Sequence, residues 1–124
     1  MKVAVKDNAL KTKSFGFAIR IVRLFQFLQT VKKEYVLAKQ LLRCGTSVGS
    51  MTREAEHAES KADFIHKMAI AQKEINEALY WIALLAATDY LTIEQATSIQ
   101  IDAVELMKLL TSTIKTAKNN LKTD

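Results

Sequence analysis

The sequence predicts an all-α protein, folded as an antiparallel, up-down-up-down four-helix bundle. Its 124 residues contain no proline and only three glycines, whereas a sheet-rich fold needs turn residues roughly every 8–12 positions. Four stretches place apolar residues at alternating steps of three and four, the period of helices packed in a bundle. A composition of 49% hydrophobic and 25% charged residues is typical of one globular domain. We expect this domain to span residues 13–124, after a loose arm over residues 1–12, which has no such pattern.

The first helix is expected to begin at Ser14, whose hydroxyl can cap it. Its main apolar seam consists of Phe17, Ile21, Leu24, Leu28, Val31 and Tyr35. A second apolar arc, on roughly the opposite side of the same helix, consists of Phe15, Ala18, Ile19, Val22 and Phe25. A helix that is apolar on two sides must bury both. The arc therefore favours a subunit interface, with a central position of this helix in a compact bundle as the alternative.

The second helix combines an apolar seam with two glycines. The seam consists of Leu37, Leu41, Cys44, Val48, Met51, Ala55 and Ala58. Gly45 and Gly49 lie one turn apart, and each costs roughly 1 kcal/mol in a helix interior. Their presence predicts a close approach of another backbone or a local bend.

The third and fourth helices carry recognisable start signals. Ser60 is predicted to cap the third helix, and Thr92 with Gln95 forms a capping-box pattern before the fourth. The seam of the third helix consists of Phe64, Met68, Ala71, Ile75, Ala78, Ile82 and Leu85. The seam of the fourth consists of Ala96, Gln100, Ala103, Met107, Leu110, Ile114, Ala117 and Leu121. Short breaks are expected near residues 32–34, 58–60 and 89–92.

The basic residues are concentrated in the first half of the chain. The formal net charge is +5. Residues 1–53 contain 11 Lys and Arg against 2 acids, residues 54–107 contain 3 against 10, and residues 108–124 contain 4 against 1. Such asymmetry indicates a surface for polyanions. The alternative is that faces of opposite charge meet within the bundle or within an oligomer.

The location expected from the sequence is the cytoplasm, without membrane association. The single cysteine, Cys44, cannot form an intramolecular disulfide, and no apolar leader follows Met1. The longest nearly apolar run, residues 78–87, has about half the length of a membrane-spanning helix.

The candidate binding site is a basic face formed by the first two helices and their junction. Its seven residues are Arg20, Arg23, Lys32, Lys33, Lys39, Arg43 and Arg53. Flexible cations neutralise phosphates without reading base sequence. No aromatic platform or base-reading motif accompanies them, so we expect charge-led binding of RNA or DNA. The alternative is a solvated face, paired in part with Glu54, Glu56 and Glu59.

A metal site is the rival hypothesis for this region. Glu54 with His57, and Asp63 with His66, have the carboxylate–imidazole spacing found in di-iron bundles. The fourth helix places its few carboxylates away from its main seam, however. We therefore expect neither a metal nor another cofactor.

The remaining reactive side chains are expected to be structural, so the protein is not expected to be an enzyme. Glu74 and Glu77 share one face of the third helix with Trp81, but no nucleophile or partner histidine accompanies them. We expect Glu74 or Glu77 to bond to the Ser/Thr-rich region or the Arg43 region of the second helix, with Trp81 covering apolar surface. Cys44 is expected to be a small core residue and not a nucleophile.

Several short motifs have a distinctive spacing along the chain. They are Phe15-Gly-Phe-Ala18, Gln40-Leu-Leu-Arg-Cys-Gly-Thr-Ser-Val-Gly49, Glu54-Ala55, Lys61-x-Asp-Phe-Ile65, Ala69-Ile-Ala71, Lys73-Glu74 and Glu77-x-x-Tyr-Trp-Ile-x-Leu-Leu85. In these motifs the chain resembles a bacterial four-helix-bundle family that includes the proteins encoded by intervening sequences of 23S ribosomal RNA genes. One departure is Ser50-Met51, where the family commonly has Ala-Asn. Any role of that asparagine is therefore in doubt in this chain.

The resemblance implies a homo-oligomer, with a ring-shaped homopentamer as the arrangement seen among relatives. Accessory proteins of diversity-generating retroelements are similar, and they bind nucleic acid and a reverse transcriptase. The resemblance thus implies a nucleic-acid-binding accessory protein, without sequence specificity, that has a reverse transcriptase or another nucleoprotein as a possible partner. The alternative is an oligomeric protein–protein scaffold with no affinity for nucleic acid.

Overall fold

The computed structural model describes the chain path over residues 5–123 and the side chains of residues 9–120. Over this range the chain forms four helices and no strand. They are α1 (Val5–Thr30), α2 (Val36–Ala55), α3 (Lys61–Ala87) and α4 (Ile93–Thr123). The all-α prediction is confirmed, and the connections lie close to the predicted breaks.

α1 begins earlier than the sequence-based prediction. Residues 5–12, which we expected in a loose arm, are helical, while residues 1–4 lie outside the described residues. Leu10 is fully buried and Ser14 almost so, because the apolar seam continues from Phe17 toward the N-terminus with a serine as one of its members. Ser14 is therefore not a cap: its hydroxyl donates to the Lys11 carbonyl within the helix, at 3.2 Å.

α1 also ends earlier than its predicted seam. Lys33 adopts a left-handed backbone conformation with φ of 58°, and the Glu34 N–H donates to the Leu28 carbonyl at 2.9 Å. These features turn the chain away from the helix axis after Thr30. Val31 and Tyr35 consequently leave the seam and are exposed.

Each helix packs against two neighbours. α1 lies beside α2 and α4, and α3 lies beside the same two helices, whereas no Cα atoms of the pairs α1–α3 and α2–α4 come within 8 Å in the described residues. All seven predicted seam positions of α3 are buried, at Phe64, Met68, Ala71, Ile75, Ala78, Ile82 and Leu85. The seam of α2 is centred slightly differently, since Ala38, Gly45 and Thr52 are buried where Leu37 and Met51 are only partly so. The seam of α4 likewise includes Ile99 and Leu106, and the Leu121 side chain lies outside the described residues.

The predicted caps of α3 and α4 are confirmed. The Ser60 hydroxyl accepts from the Asp63 N–H at 3.0 Å. The Gln95 N–H donates to the Thr92 hydroxyl at 3.1 Å, and the Gln95 side chain accepts from the Thr92 N–H at 2.9 Å. Together these bonds satisfy helix N–H groups that have no partner within the helix itself.

The second apolar arc of α1 is only partly covered. Phe15, Ile19 and Val22 are exposed, whereas Ala18 and Phe25 are partly buried. A second exposed apolar spot lies on α4 at Ile101 and Val104. We call Ile19 with Val22 the α1 strip, and Ile101 with Val104 the α4 strip. Within the described residues, none of the four helices contains an apolar stretch of the length that a membrane span requires.

Candidate nucleic-acid interface

The basic face divides into cations held by carboxylates and cations that are not. Arg20 belongs to the first group, because it reaches across to α4. Its Nη1 lies 2.6 Å from Oδ2 of Asp102, and its Nη2 donates to the Ser98 hydroxyl at 2.8 Å. Lys13 makes a parallel contact with Glu105 at 3.2 Å. The Arg20 side chain therefore mainly stabilises the packing of α1 against α4.

Arg43, on α2, is held in the same way by two carboxylates of α3. Its guanidinium donates to Glu74 Oε2 at 3.1 Å and also bonds to Glu77. Trp81 donates its indole N–H to the same oxygen of Glu77, at 2.9 Å. The predicted structural role of these two carboxylates is confirmed by this network. With two carboxylates on one guanidinium, Arg43 adds no net positive charge to the surface.

The other five cations have no carboxylate partner among the described side chains. Arg23 extends from α1 and Lys39 from α2, both exposed. Lys32 and Lys33 lie in the turn that joins these two helices, also exposed. The turn conformation that ends α1 thus presents two adjacent lysines at one end of the bundle.

Arg53, the fifth, has an aromatic partner instead. Its guanidinium carbon lies 5.7 Å from the centroid of the Phe15 ring, over the ring face. This contact joins α2 to α1 and holds the guanidinium near the surface, in a geometry typical of a cation–π interaction.

A groove between α1 and α2 surrounds this pair. We call it the α1–α2 groove: a cavity of about 330 Å³ lined by Lys11, Ser14 and Phe15 from α1, and by Thr46, Ser50 and Arg53 from α2. Sequence reasoning missed this site, because it assigned Lys11 to the loose arm. The signal available in the sequence is the 4-3 spacing of Leu10, Ser14 and Phe17, which continues the helix back past Lys11.

The Ser50-Met51 departure from the family pattern lies beside this groove. Ser50 is exposed and lines it, while Met51 is partly buried against the core. An apolar side chain suits the inward position, and the outward serine places a hydroxyl on the groove.

The two carboxylate–histidine pairs considered as metal ligands make other contacts in the structure. His57 and His66 are exposed. Glu54 pairs with Lys67 at 3.7 Å, and Asp63 accepts from the Glu59 N–H at 3.3 Å. Among the described residues, no three His, Cys, Asp or Glu side chains come together as a metal-binding group.

Cys44 is fully buried in the core. Burial, reinforced by the charge of Glu77, raises the pKa of the Cys44 thiol to about 12. Its Sγ donates weakly to the Leu41 carbonyl, at 3.6 Å. A thiol with such a pKa is protonated at neutral pH and is a poor nucleophile.

These features define a four-helix protein with a cationic surface on α1, α2 and their junction. The chain belongs to the 23S rRNA-intervening sequence protein family, whose sequence profile matches residues 6–112. The predicted family resemblance is therefore confirmed. A similar solved structure is that of a protein of unknown function from the S23 ribosomal protein family of Bacteroides thetaiotaomicron, with 55% sequence identity and a TM-score of 0.89. The similarity covers 90% of this chain and 99% of that one. No functionally curated protein matches the chain.

Proposed function

We propose that this chain is a non-enzymatic, nucleic-acid-binding accessory protein that contacts RNA or DNA through its basic face, as a homo-oligomer in the cytoplasm. The observation that carries the proposal is that Arg23, Lys32, Lys33 and Lys39 are exposed on two adjacent helices and their junction, without a carboxylate partner among the described side chains. Such cations bind phosphates with little desolvation cost and without base specificity.

The positions of four acidic residues support the same basic surface as the binding site. Asp102 and Glu105 pair with α1 residues on its α4 side, and Glu74 and Glu77 on α3 pair with Arg43 of α2. These four carboxylates are thus engaged with Lys13, Arg20 and Arg43 and not with the unpaired cations. The family name, which refers to intervening sequences in 23S rRNA, is consistent with an RNA-related role.

The absence of catalysis is part of the proposal. Glu74 and Glu77 both hold Arg43, so neither carboxylate is available as an acid or base without breaking that network. Cys44 is buried with a raised pKa. These residues were the candidates with the most reactive chemistry in the sequence.

An antiparallel bundle that assembles as a ring, with five copies as in the relatives, completes the proposal. Two ion pairs between α1 and α4 support the antiparallel arrangement. Lys13 precedes Arg20 along α1, but their partners, Glu105 and Asp102, follow in the opposite order along α4. Assembly is supported by the exposed α1 and α4 strips. When one patch of a subunit meets a different patch of the next subunit, the contact generates a closed ring if the rotation from subunit to subunit adds up to a full turn.

The α1 strip also supports the second candidate function, an oligomeric scaffold without affinity for nucleic acid. In that case the cations would bind an acidic or nucleoprotein partner, of which a reverse transcriptase is one example. The two candidates differ in a direct binding measurement.

The test is fluorescence anisotropy of a labelled RNA hairpin and a labelled DNA duplex, titrated at several salt concentrations. We expect saturable binding whose logarithm falls linearly with the logarithm of salt. In an Arg23→Glu/Lys39→Glu variant the slope should fall by about 1.5, because each phosphate contact contributes about 0.7–0.9.

The matched control is Lys73→Glu/Lys108→Glu, which makes the same charge change at exposed positions on α3 and α4. This control should bind nearly as the wild type does. Equal loss in both variants would mean that net charge alone attracts the nucleic acid. Flat traces for the wild type at low salt would refute nucleic-acid binding and leave the scaffold function.

A further inference from the structure

The α1–α2 groove has the composition of a nucleotide site. Each helix contributes positions spaced three and four residues apart, so that Lys11, Ser14 and Phe15 face Thr46, Ser50 and Arg53. The cavity of about 330 Å³ lies within the range of roughly 300–1,000 Å³ found for small-ligand pockets. At the base of the groove, Gly49 lies close to α1: a Cβ atom on Gly49 would lie only 3.3 Å from the Ser14 carbonyl oxygen.

The polar side of the groove suits a phosphate. Lys11 and Arg53 supply two cations, of which Lys11 is shared with Glu56 at 3.3 Å. The Ser50 hydroxyl has no hydrogen-bond partner among the described residues, so it is available as a donor. Two cations and one carboxylate give the groove a net charge of +1, which attracts one phosphodiester group.

The apolar side suits an unpaired base. Phe15 is 55% exposed even though Arg53 lies over its ring, so a large part of this residue's surface has no protein cover in the protomer. Aromatic rings and guanidinium planes are the surfaces on which single-stranded bases stack. A base inside a duplex is already stacked on both sides and cannot use this ring.

We propose that the α1–α2 groove binds one unpaired nucleotide, with its phosphate at Lys11, Ser50 and Arg53 and its base on Phe15. This inference rests on the proposed nucleic-acid function and deepens it, because it makes single-stranded segments the preferred substrate. Cations outside the groove, such as Lys39 and Arg23, bind the flanking phosphates of either strand form.

The test compares a single-stranded RNA with the same sequence in a perfect duplex, by anisotropy at fixed salt. The Phe15→Leu variant keeps an apolar side chain but loses the ring, and Arg53→Lys keeps the charge but loses the planar guanidinium. Each should weaken single-strand binding about tenfold, as expected for the loss of one stacked base, and should leave duplex binding and the salt slope unchanged.

Tyr80→Leu is the matched control, since Tyr80 is an exposed aromatic on α3, outside the groove. This variant should bind the single strand as the wild type does. A crosslink from 4-thiouridine in the single strand should map to the tryptic peptide 14–20, which contains Phe15.

The outcomes separate the two proposals. If the wild type binds RNA but Phe15→Leu binds the single strand equally well, or the crosslink maps elsewhere, the groove proposal is wrong and the general function stands. If Phe15→Leu loses both ligands together with its oligomeric state in sedimentation, Phe15 belongs to a subunit interface and the groove proposal is overturned. If the wild type binds neither of the two RNAs nor the DNA duplex at low salt, the proposed function itself fails.

Discussion

Gly45 on α2 lies directly against Ile21 on α1: a Cβ atom built on Gly45 would lie 2.8 Å from Cγ1 of Ile21 and 2.9 Å from its Cγ2. Ile21 is fully buried and its branched β-carbon leaves it one strongly preferred rotamer in a helix. The glycine therefore sets how closely α1 and α2 approach, and this approach brings the two walls of the α1–α2 groove together.

We predict that Gly45→Ala destabilises the protein by a net of about 1 kcal/mol, because overpacking costs about 1–3 kcal/mol and the better helix propensity of alanine returns about 1. Gly16→Ala is the matched control. Apart from the adjacent residues and the nearby backbone of α1 itself, no described atom lies within 4 Å of a Cβ at Gly16, so this change should stabilise by about 0.5–1 kcal/mol. Urea unfolding of both variants measures the contrast. Stabilisation by Gly45→Ala would mean that Ile21 can repack.

We predict that Arg43→Met destabilises more than Arg20→Met, although both remove one positive charge. The Glu74 side chain is only 12% exposed, so losing Arg43 leaves a nearly buried carboxylate without its cation, at a cost of about 1–2 kcal/mol. Asp102 is 40% exposed, and loss of its pair should cost less than about 1 kcal/mol. Chemical denaturation checks the order. Equal losses would indicate that water solvates Glu74 as well as it does Asp102.

We predict that stability falls between about pH 9 and pH 12, with a contribution from Cys44. The pKa of its thiol is raised from 9.0 to about 12 in the folded protein, so over this range the unfolded chain releases the thiol proton while the folded chain keeps it. The contribution is fully present below pH 9 and is lost as the pH rises through the folded pKa. Cys44→Ala should therefore have a flatter stability profile in this range. An identical profile would assign the alkaline loss to other groups.

We predict that Ile19→Asp dissociates the proposed oligomer, because a carboxylate on the α1 strip would lose its hydration in the interface. Ile101→Asp on the α4 strip should have the same effect if the two strips meet head to tail. Val36→Asp is the control, since Val36 is 72% exposed and outside both strips. Sedimentation velocity gives the species present. A wild-type monomer, or an oligomer that survives both strip variants, would contradict this assembly.

Local patterns in the sequence were enough to predict much of the fold. The seam of α3 was predicted completely, because its buried positions are all apolar and their helical spacing depends only on neighbours in the chain. The capping box of Thr92 and Gln95 was predictable for the same reason, since both hydrogen bonds span three residues. The start of α1 was not, because a buried serine interrupts the apolar pattern at Ser14 and resembles a cap.

The sequence by itself thus determined the helical class, most of the core, two helix caps, the family and the excess of cations in the first half of the chain. The sequence indicated the Arg43 region as one partner of the Glu74 and Glu77 carboxylates, but only the tertiary structure decided which of the other cations are neutralised. Arg20 meets an acid 82 residues away and Arg43 acids 31 and 34 residues away, while Arg53 meets Phe15. Such pairings depend on the rotation and axial offset of one helix against the next. These are set by the packing of the whole core, which no local pattern in the chain encodes.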